Sequence, residues 1–439
     1  MSHRIHRRLT PAALALALAL VLTGAPALPA NGPLSLTEAQ RLAIERSRNL
    51  AARSFGIDAS RERAVAAGKL PDPVLTLALE NLPIEKEQAA EESVNPLAKR
   101  ASGRFSITRE AMTMRRIGLM QEWTRADKRE LRAERYELEA RKGEAEAEAT
   151  RAAIRRDTAI AWLDSWHAEA MAAAIAEQRV RGLQEAELAE AEYRAGRGSQ
   201  GDLLMARANL AMLDDRAAEY ERKVKVARNT LVRWAGDDGL RSLGRRPELV
   251  GVHRDVHGDD AGLARHPEIQ VLAREQEIAG ADARLAGLAS RPDVTTELSY
   301  LARGSQFGDM VSFEVRLPLP WDTGNRQDRE VRASRALAEQ AGALRDEMLR
   351  EHVAELRNLF FEFDSNRARL ARYEREIVPL AAARAEATLA SYRGAKASAN
   401  DVVVARRAEL EARLQQLQLE ADTARLWARL NFLTGEDGQ

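Results

Sequence analysis

Two acidic residues recur at matched places in this chain. Tyr193-Arg194, a glycine-bearing run of small residues, Ser199 and Asp202 reappear as Tyr392-Arg393, a similar run, Ser398 and Asp401, 199 positions further on. Met205-Ala206-Arg207 in one copy answers to Val404-Ala405-Arg406 in the other. A carboxylate just after a tight turn is suited to be a helix N-cap, accepting amide hydrogens that have no partner inside the helix. Where several such turns meet, the same groups form an acidic ring of the kind that selects ions; the two roles are compatible. A second cluster, His253, Asp255, His257, Asp259, Asp260 and His266, mixes imidazole and carboxylate as zinc sites do. Its spacing matches no fixed metal pattern, so a solvated polar connector is the plainer reading, with His253 and His257 as weak metal candidates. His167 and His352 stand alone and read as helix-surface residues. No Ser/His/Asp set, phosphate loop or carboxylate pair converges anywhere, so neither an enzyme nor a cofactor is expected.

The elements that must position these residues are duplicated. The shared register extends to Gly236 and Gly435, and, within one residue, to Trp123 and Trp321. A register held over so many positions marks a repeated half. The expected organisation is a signal peptide at 1–27 (cleavage as late as 30), a first repeat at 28–236, a linker at 237–260 and a second repeat at 261–439. Arg4, Arg7 and Arg8, the apolar run Pro11 to Leu22 and the small residues Ala25-Pro26-Ala27 support the first assignment. That run is shorter than the ~20 residues that span a bilayer.

Each half reads as helix, strand, strand, very long helix, tight turn, long helix. In the first, a helix is expected from Leu34 to Leu70, stopped by Pro71-Asp72-Pro73. A strand follows from Val74 to Leu82, with Leu75, Leu77 and Leu79 on one face. A poorly patterned strand lies within Phe105 to Gln121, and a helix runs from Arg125 to Ala195. In the second, a helix spans Ala261 to Ser290. Val294, Thr296, Leu298 and Tyr300 then alternate with polar residues, as do Val311, Phe313, Val315 and Leu317 with Ser312, Glu314 and Arg316; period two is the strand signature. Another long helix covers Arg326 to Tyr392, interrupted at Pro379. After the first turn, Leu203, Ala206, Leu210, Leu213, Ala217, Tyr220, Val224, Ala227, Leu231 and Trp234 keep coiled-coil steps of three and four. The last helix carries two apolar stripes, one with Leu419, Leu426, Leu430 and Leu433, the other with Val403, Leu410, Leu414 and Leu417. That suits neighbours on both sides.

The chain has 67 Lys+Arg and 67 Asp+Glu. Such neutrality gives no basis for nucleic-acid binding. With no cysteine, disulfides and thiolate metal sites are excluded. No segment after the signal peptide is apolar enough for a membrane helix, so a membrane crossing would have to use β-strands. Four strands cannot close: a bilayer forbids open sheet edges, and the smallest membrane barrels have about 8 strands. Several chains must share one wall, with Ser312, Glu314 and Arg316 toward water and Trp123 and Trp321 at the membrane interface.

These features together resemble the outer-membrane efflux duct family typified by TolC. The likeness is carried by Leu36-Thr37-Glu38-Ala39, by Tyr193 through Leu204, by Tyr392 through Val403 and by Leu317-Pro318-Leu319-Pro320. Leu70-Pro71-Asp72-Pro73 and Glu80-Asn81-Leu82-Pro83 resemble the CzcC-like branch that serves heavy-metal cation pumps. The resemblance implies a mainly α fold: a periplasmic α-barrel of coiled coils topped by a membrane β-barrel of twelve strands, four from each chain of a homotrimer. It implies the exit duct of a tripartite pump in the outer membrane of a Gram-negative bacterium, working with a periplasmic adaptor and an inner-membrane RND transporter and contacting outer-membrane lipid. Asp202 and Asp401, with Met205 and Val404 behind them, would form the periplasmic entrance. Gly196, Arg197, Gly198, Gly394, Ala395 and Lys396 would be the tips that meet the adaptor. A competing reading is a periplasmic coiled-coil adaptor or structural protein without a barrel; the alternation at Val311 to Leu317 argues against it.

Overall fold

The computed structural model describes residues 32–82, 113–249, 266–303, 307–394 and 396–432. The expected signal peptide at 1–27 lies outside the described residues, as do His253 and His257.

The repeated plan is present twice. The first half holds α1 (Leu36–Arg46), α2 (Arg48–Ala67), β1 (Val74–Glu80), β2 (Met114–Trp123), α3 (Ala126–Arg194) and α4 (Gln200–Ala235). The second holds α5 (Pro267–Gly287), β3 (Val294–Ala302), β4 (Met310–Arg316), α6 (Gln327–Arg372), α7 (Val378–Arg393) and α8 (Ala399–Asn431). The single helix expected over Leu34 to Leu70 is two. Ser47 takes an extended backbone and its hydroxyl accepts from the Leu50 amide at 3.2 Å, so it ends α1 and caps α2. Between α6 and α7 the helix widens to a π-turn at Tyr373–Ile377. Pro379, just past the widened turn, lacks an amide hydrogen and its ring crowds the carbonyl four residues back, so the ladder loosens there.

The four strands form one antiparallel sheet in the order β1-β2-β3-β4, so the two halves meet where β2 pairs β3. Every helix that flanks the sheet joins it at one end: α2 enters β1, α3 leaves β2, α5 enters β3 and α6 leaves β4. The long helices therefore extend away from one end of a small sheet. At 69 residues, α3 is a rod of ~100 Å.

The helices are buried where three apolar clusters form. Trp162, Leu163 and Ala159 of α3 pack on Leu34, Leu231 of α4 and Ala424 of α8; the Trp162 indole donates to the Leu34 carbonyl at 3.0 Å. Met171 and Ile175 meet Leu213, Leu410, Leu414 and Leu417. Leu356, Phe360 and Phe363 of α6 meet Leu426 and Leu430. Helix α8 thus buries one stripe against α3 and α4 and another against α6. The α4 seam is likewise buried or half-buried along its length. Residues 237–249 of the expected linker are ordered: Leu243 bridges to Leu34, and Arg241 pairs with Glu38 at 2.9 Å.

Candidate functional site

The two repeated phrases fold as helical hairpin tips. After α3, the amides of Arg197 and Gly198 both bond the Glu192 carbonyl, at 2.9 and 3.1 Å. Gly196 has φ +71, a region closed to most side chains. Ser199 is the N-cap of α4: its hydroxyl accepts from the Asp202 amide at 3.1 Å, and Asp202 Oδ2 accepts from the Ser199 amide and hydroxyl at 3.3 and 2.6 Å. The second tip repeats this with Ser398 and Asp401, at 3.2, 2.9 and 2.7 Å. Asp202 and Asp401 are therefore not the N-caps themselves. They are the third helical residues of reciprocal capping boxes. The Ser398 hydroxyl, helped by its amide, holds the Asp401 carboxyl below the usual carboxylate range. Gly394, in the second tip, has φ −87, which any residue adopts. Ala395 lies outside the described residues; the Lys396 amide bonds the Ser391 carbonyl at 2.8 Å.

The tips sit side by side. The Tyr392 hydroxyl donates to Glu192 Oε2 at 2.6 Å, tying the end of α7 to the end of α3. That hydrogen bond, then burial, pushes the phenol up to about 12. Its repeat mate Tyr193 is 44% exposed, so the duplicated tyrosine is used unequally. Arg207 reaches back to Glu190 at 3.2 Å, and Arg406 to Glu386 at 2.9 Å, each closing its own hairpin. Of the apolar residues expected at the entrance, Met205 is half-buried and Val404 is exposed. Sequence reasoning missed the Tyr392–Glu192 link, because which of two equivalent tyrosines bonds across is decided only when the hairpins are placed.

At the other end, the sheet has two chemically opposite faces. Register aligns Leu75, Leu119, Leu298 and Phe313 in one row and Leu77, Ile117, Tyr300 and Val311 in the next. All eight are exposed. On the reverse face lie Arg116, Glu297, Ser299, Ser312, Glu314 and Arg316. Glu297 is 4% exposed and is reached by Arg316 at 3.2 Å and Arg116 at 3.7 Å. Gly118 makes room for it: a Cβ there would stand 2.8 Å from Glu297 Oε1. Among the described residues, edges β1 and β4 pair with nothing. Trp123, its indole bonded to Thr296 Oγ1 at 2.8 Å, and the exposed Trp321 both lie at the end of the sheet from which the helices leave.

Two histidines differ from expectation. His167 is buried, its Nδ1 2.8 Å from the Leu163 carbonyl. Burial drops its pKa to about 4. His352 is not on a free helix surface either; it is lodged between α5 and α6 with its ring 4.6 Å from that of His266.

Residues 260–436 match the family model described as outer membrane efflux protein. No curated protein matches the chain significantly. Solved structures share the fold over nearly its whole length. The outer membrane protein VceC of Vibrio cholerae is 19% identical, covering 91% of this chain and 95% of that one, with a TM-score of 0.70. The CmeC outer membrane channel of Campylobacter jejuni is 13% identical, covering 92% and 87%, with a TM-score of 0.73. CusC, described for transmembrane channel formation, is 15% identical, covering 91% and 92%, with a TM-score of 0.71. The second repeat thus matches the outer membrane efflux protein model, and the chain shares the fold of solved outer-membrane channels.

Proposed function

We propose that this chain is the outer-membrane exit duct of a tripartite efflux pump, built as a homotrimer and gated at its helical tips. The single observation that carries this reading is the open sheet with one exposed apolar face and one charged face. Three copies side by side would convert unpaired edges into paired ones, turn the leucine and phenylalanine rows toward lipid and enclose a lumen lined by Arg116, Glu297, Glu314 and Arg316. Trp123 and Trp321 would mark the periplasmic-side interface of the membrane, where aromatic belts are found. The helices would continue the duct across the periplasm to the tips at Gly196, Arg197 and Gly198 and at Gly394, Ala395 and Lys396, which a periplasmic adaptor would grip; an inner-membrane RND transporter would load the duct.

Transport needs no chemistry at the tips, only movement. The Tyr392–Glu192 bond holds neighbouring hairpins together, and its rupture would let them part. Asp202 and Asp401 would ring the entrance, with Met205 and Val404 as an apolar constriction behind. Heavy-metal cations are the proposed cargo, on the phrases around Pro71 and Asn81 that resemble the metal-pump branch.

Purified mature protein in planar bilayers tests this. Discrete conductance steps are expected, and the double substitution Asp202→Ala/Asp401→Ala should change the conductance or its block by divalent cations. A preparation that inserts but never conducts would refute the duct; unchanged traces from the double variant would remove the aspartates from the gate.

A further inference from the structure

His266, Glu268 and His352 converge far from the tips and the sheet. His266 caps the start of α5, Glu268 follows in its first turn, and His352 comes from the facing side of α6. One ligand atom from each can be chosen so that all lie within 4.8 Å of one another. The placement of His352 is unusual: its Nε2 stands 3.1 Å from Glu268 Oε2, yet it is buried and out of line for a hydrogen bond. His266 is 7% exposed, and its Nδ1 has only a long 3.4 Å contact from the Glu268 amide. Two imidazoles and a carboxylate thus face each other with lone pairs left over.

We infer that His266, Glu268 and His352 form a binding site for one divalent transition-metal ion of the zinc class, clamping the start of α5 to α6. Two imidazole nitrogens and one carboxylate oxygen are a recognised three-ligand set for zinc, with a water completing a tetrahedron. Nitrogen donors favour such an ion over magnesium or calcium, which take oxygen. Metal ligation requires neutral imidazole, and both rings are largely shielded from solvent, His266 at 7% exposed and His352 at 12%. Arg156 of α3 and the N-terminal dipole of α5 oppose a cation here; Glu268 and Glu355, the latter 3.7 Å from His352 Nδ1, supply the compensating charge. Glu268 is 57% exposed, which leaves an approach from solvent. The site is independent of the duct reading, since it needs only one chain.

The test uses tag-free full-length protein in detergent, stripped with a chelator and titrated with zinc sulfate against a chromophoric zinc indicator. One site per chain is expected, weakened at least about tenfold by His352→Gln and by Glu268→Gln. Glu268→Gln alters an exposed group and should fold normally. Zinc should raise the thermal midpoint of the wild type more than that of Glu268→Gln, and magnesium should do neither. The double variant His253→Gln/His257→Gln should bind zinc as the wild type does. Absence of a wild-type site, equal affinity in the Glu268→Gln protein, or loss of binding in the double variant overturns the assignment.

Discussion

Ser199 and Ser398 do at the tips what the neighbouring aspartates alone do not: they close helix starts that would otherwise leave amides unsatisfied. Replacing either by Ala should lower unfolding stability by ~1 kcal/mol, measured by chemical denaturation. The Asp401 carboxyl is held below its ordinary pKa by Ser398. A lowered folded-state value means its stabilisation is present above the unfolded pKa of ~3.9 and is lost as pH falls through the folded value. A pH titration of stability should therefore show the Asp401→Asn difference only above that acidic range. Gly196→Ala should cost ~1 kcal/mol or more because φ is positive there, whereas Gly394→Ala should be near neutral; thermal melts separate the two. The Ser-x-x-Asp phrase was legible as a helix start from the sequence alone. Its finer roles were not, because Ser and Asp both serve as caps and only the backbone shows which is N-cap and which is N3. His352 was illegible for a different reason: its partner lies 86 positions away on another helix.

Alternation and heptad steps made most elements readable, and the departures have physical causes. Strand β2 hid its pattern because the apolar residues of its outer face, Ile117, Leu119 and Trp123, are interrupted by Gln121 and preceded by Arg115, while Gly118 on the reverse face yields to the Glu297 side chain. The first helix broke at Ser47 because a hydroxyl in an apolar-poor stretch can cap as readily as it can continue. The two stripes on α8 were visible as such: Leu410, Leu414 and Leu417 of one and Leu419, Leu426 and Leu430 of the other are buried, Val403 is half-buried and Leu433 lies outside the described residues. Leu417→Ala should cost ~2–5 kcal/mol by the same denaturation assay, since Leu417 is 4% exposed. Among the strands, Phe313→Arg should impair membrane assembly, by ~2–4 kcal/mol if it sits near the midplane, while Ser312→Arg on the other face should assemble. Heat-modifiable migration of outer-membrane fractions distinguishes them.

The whole molecule is half-finished as a single chain. Its duplication supplies two hairpin tips, two pairs of strands and one sheet, but among the described residues neither edge of the sheet has a partner, and eight large apolar or aromatic side chains face outward in two rows. No helix among the described residues is long and apolar enough to cross a membrane. A sealed duct therefore requires assembly. Native mass spectrometry of the mature protein, released from detergent, measures it directly: three chains per particle are predicted, whereas a population of stable monomers or dimers would contradict a shared barrel.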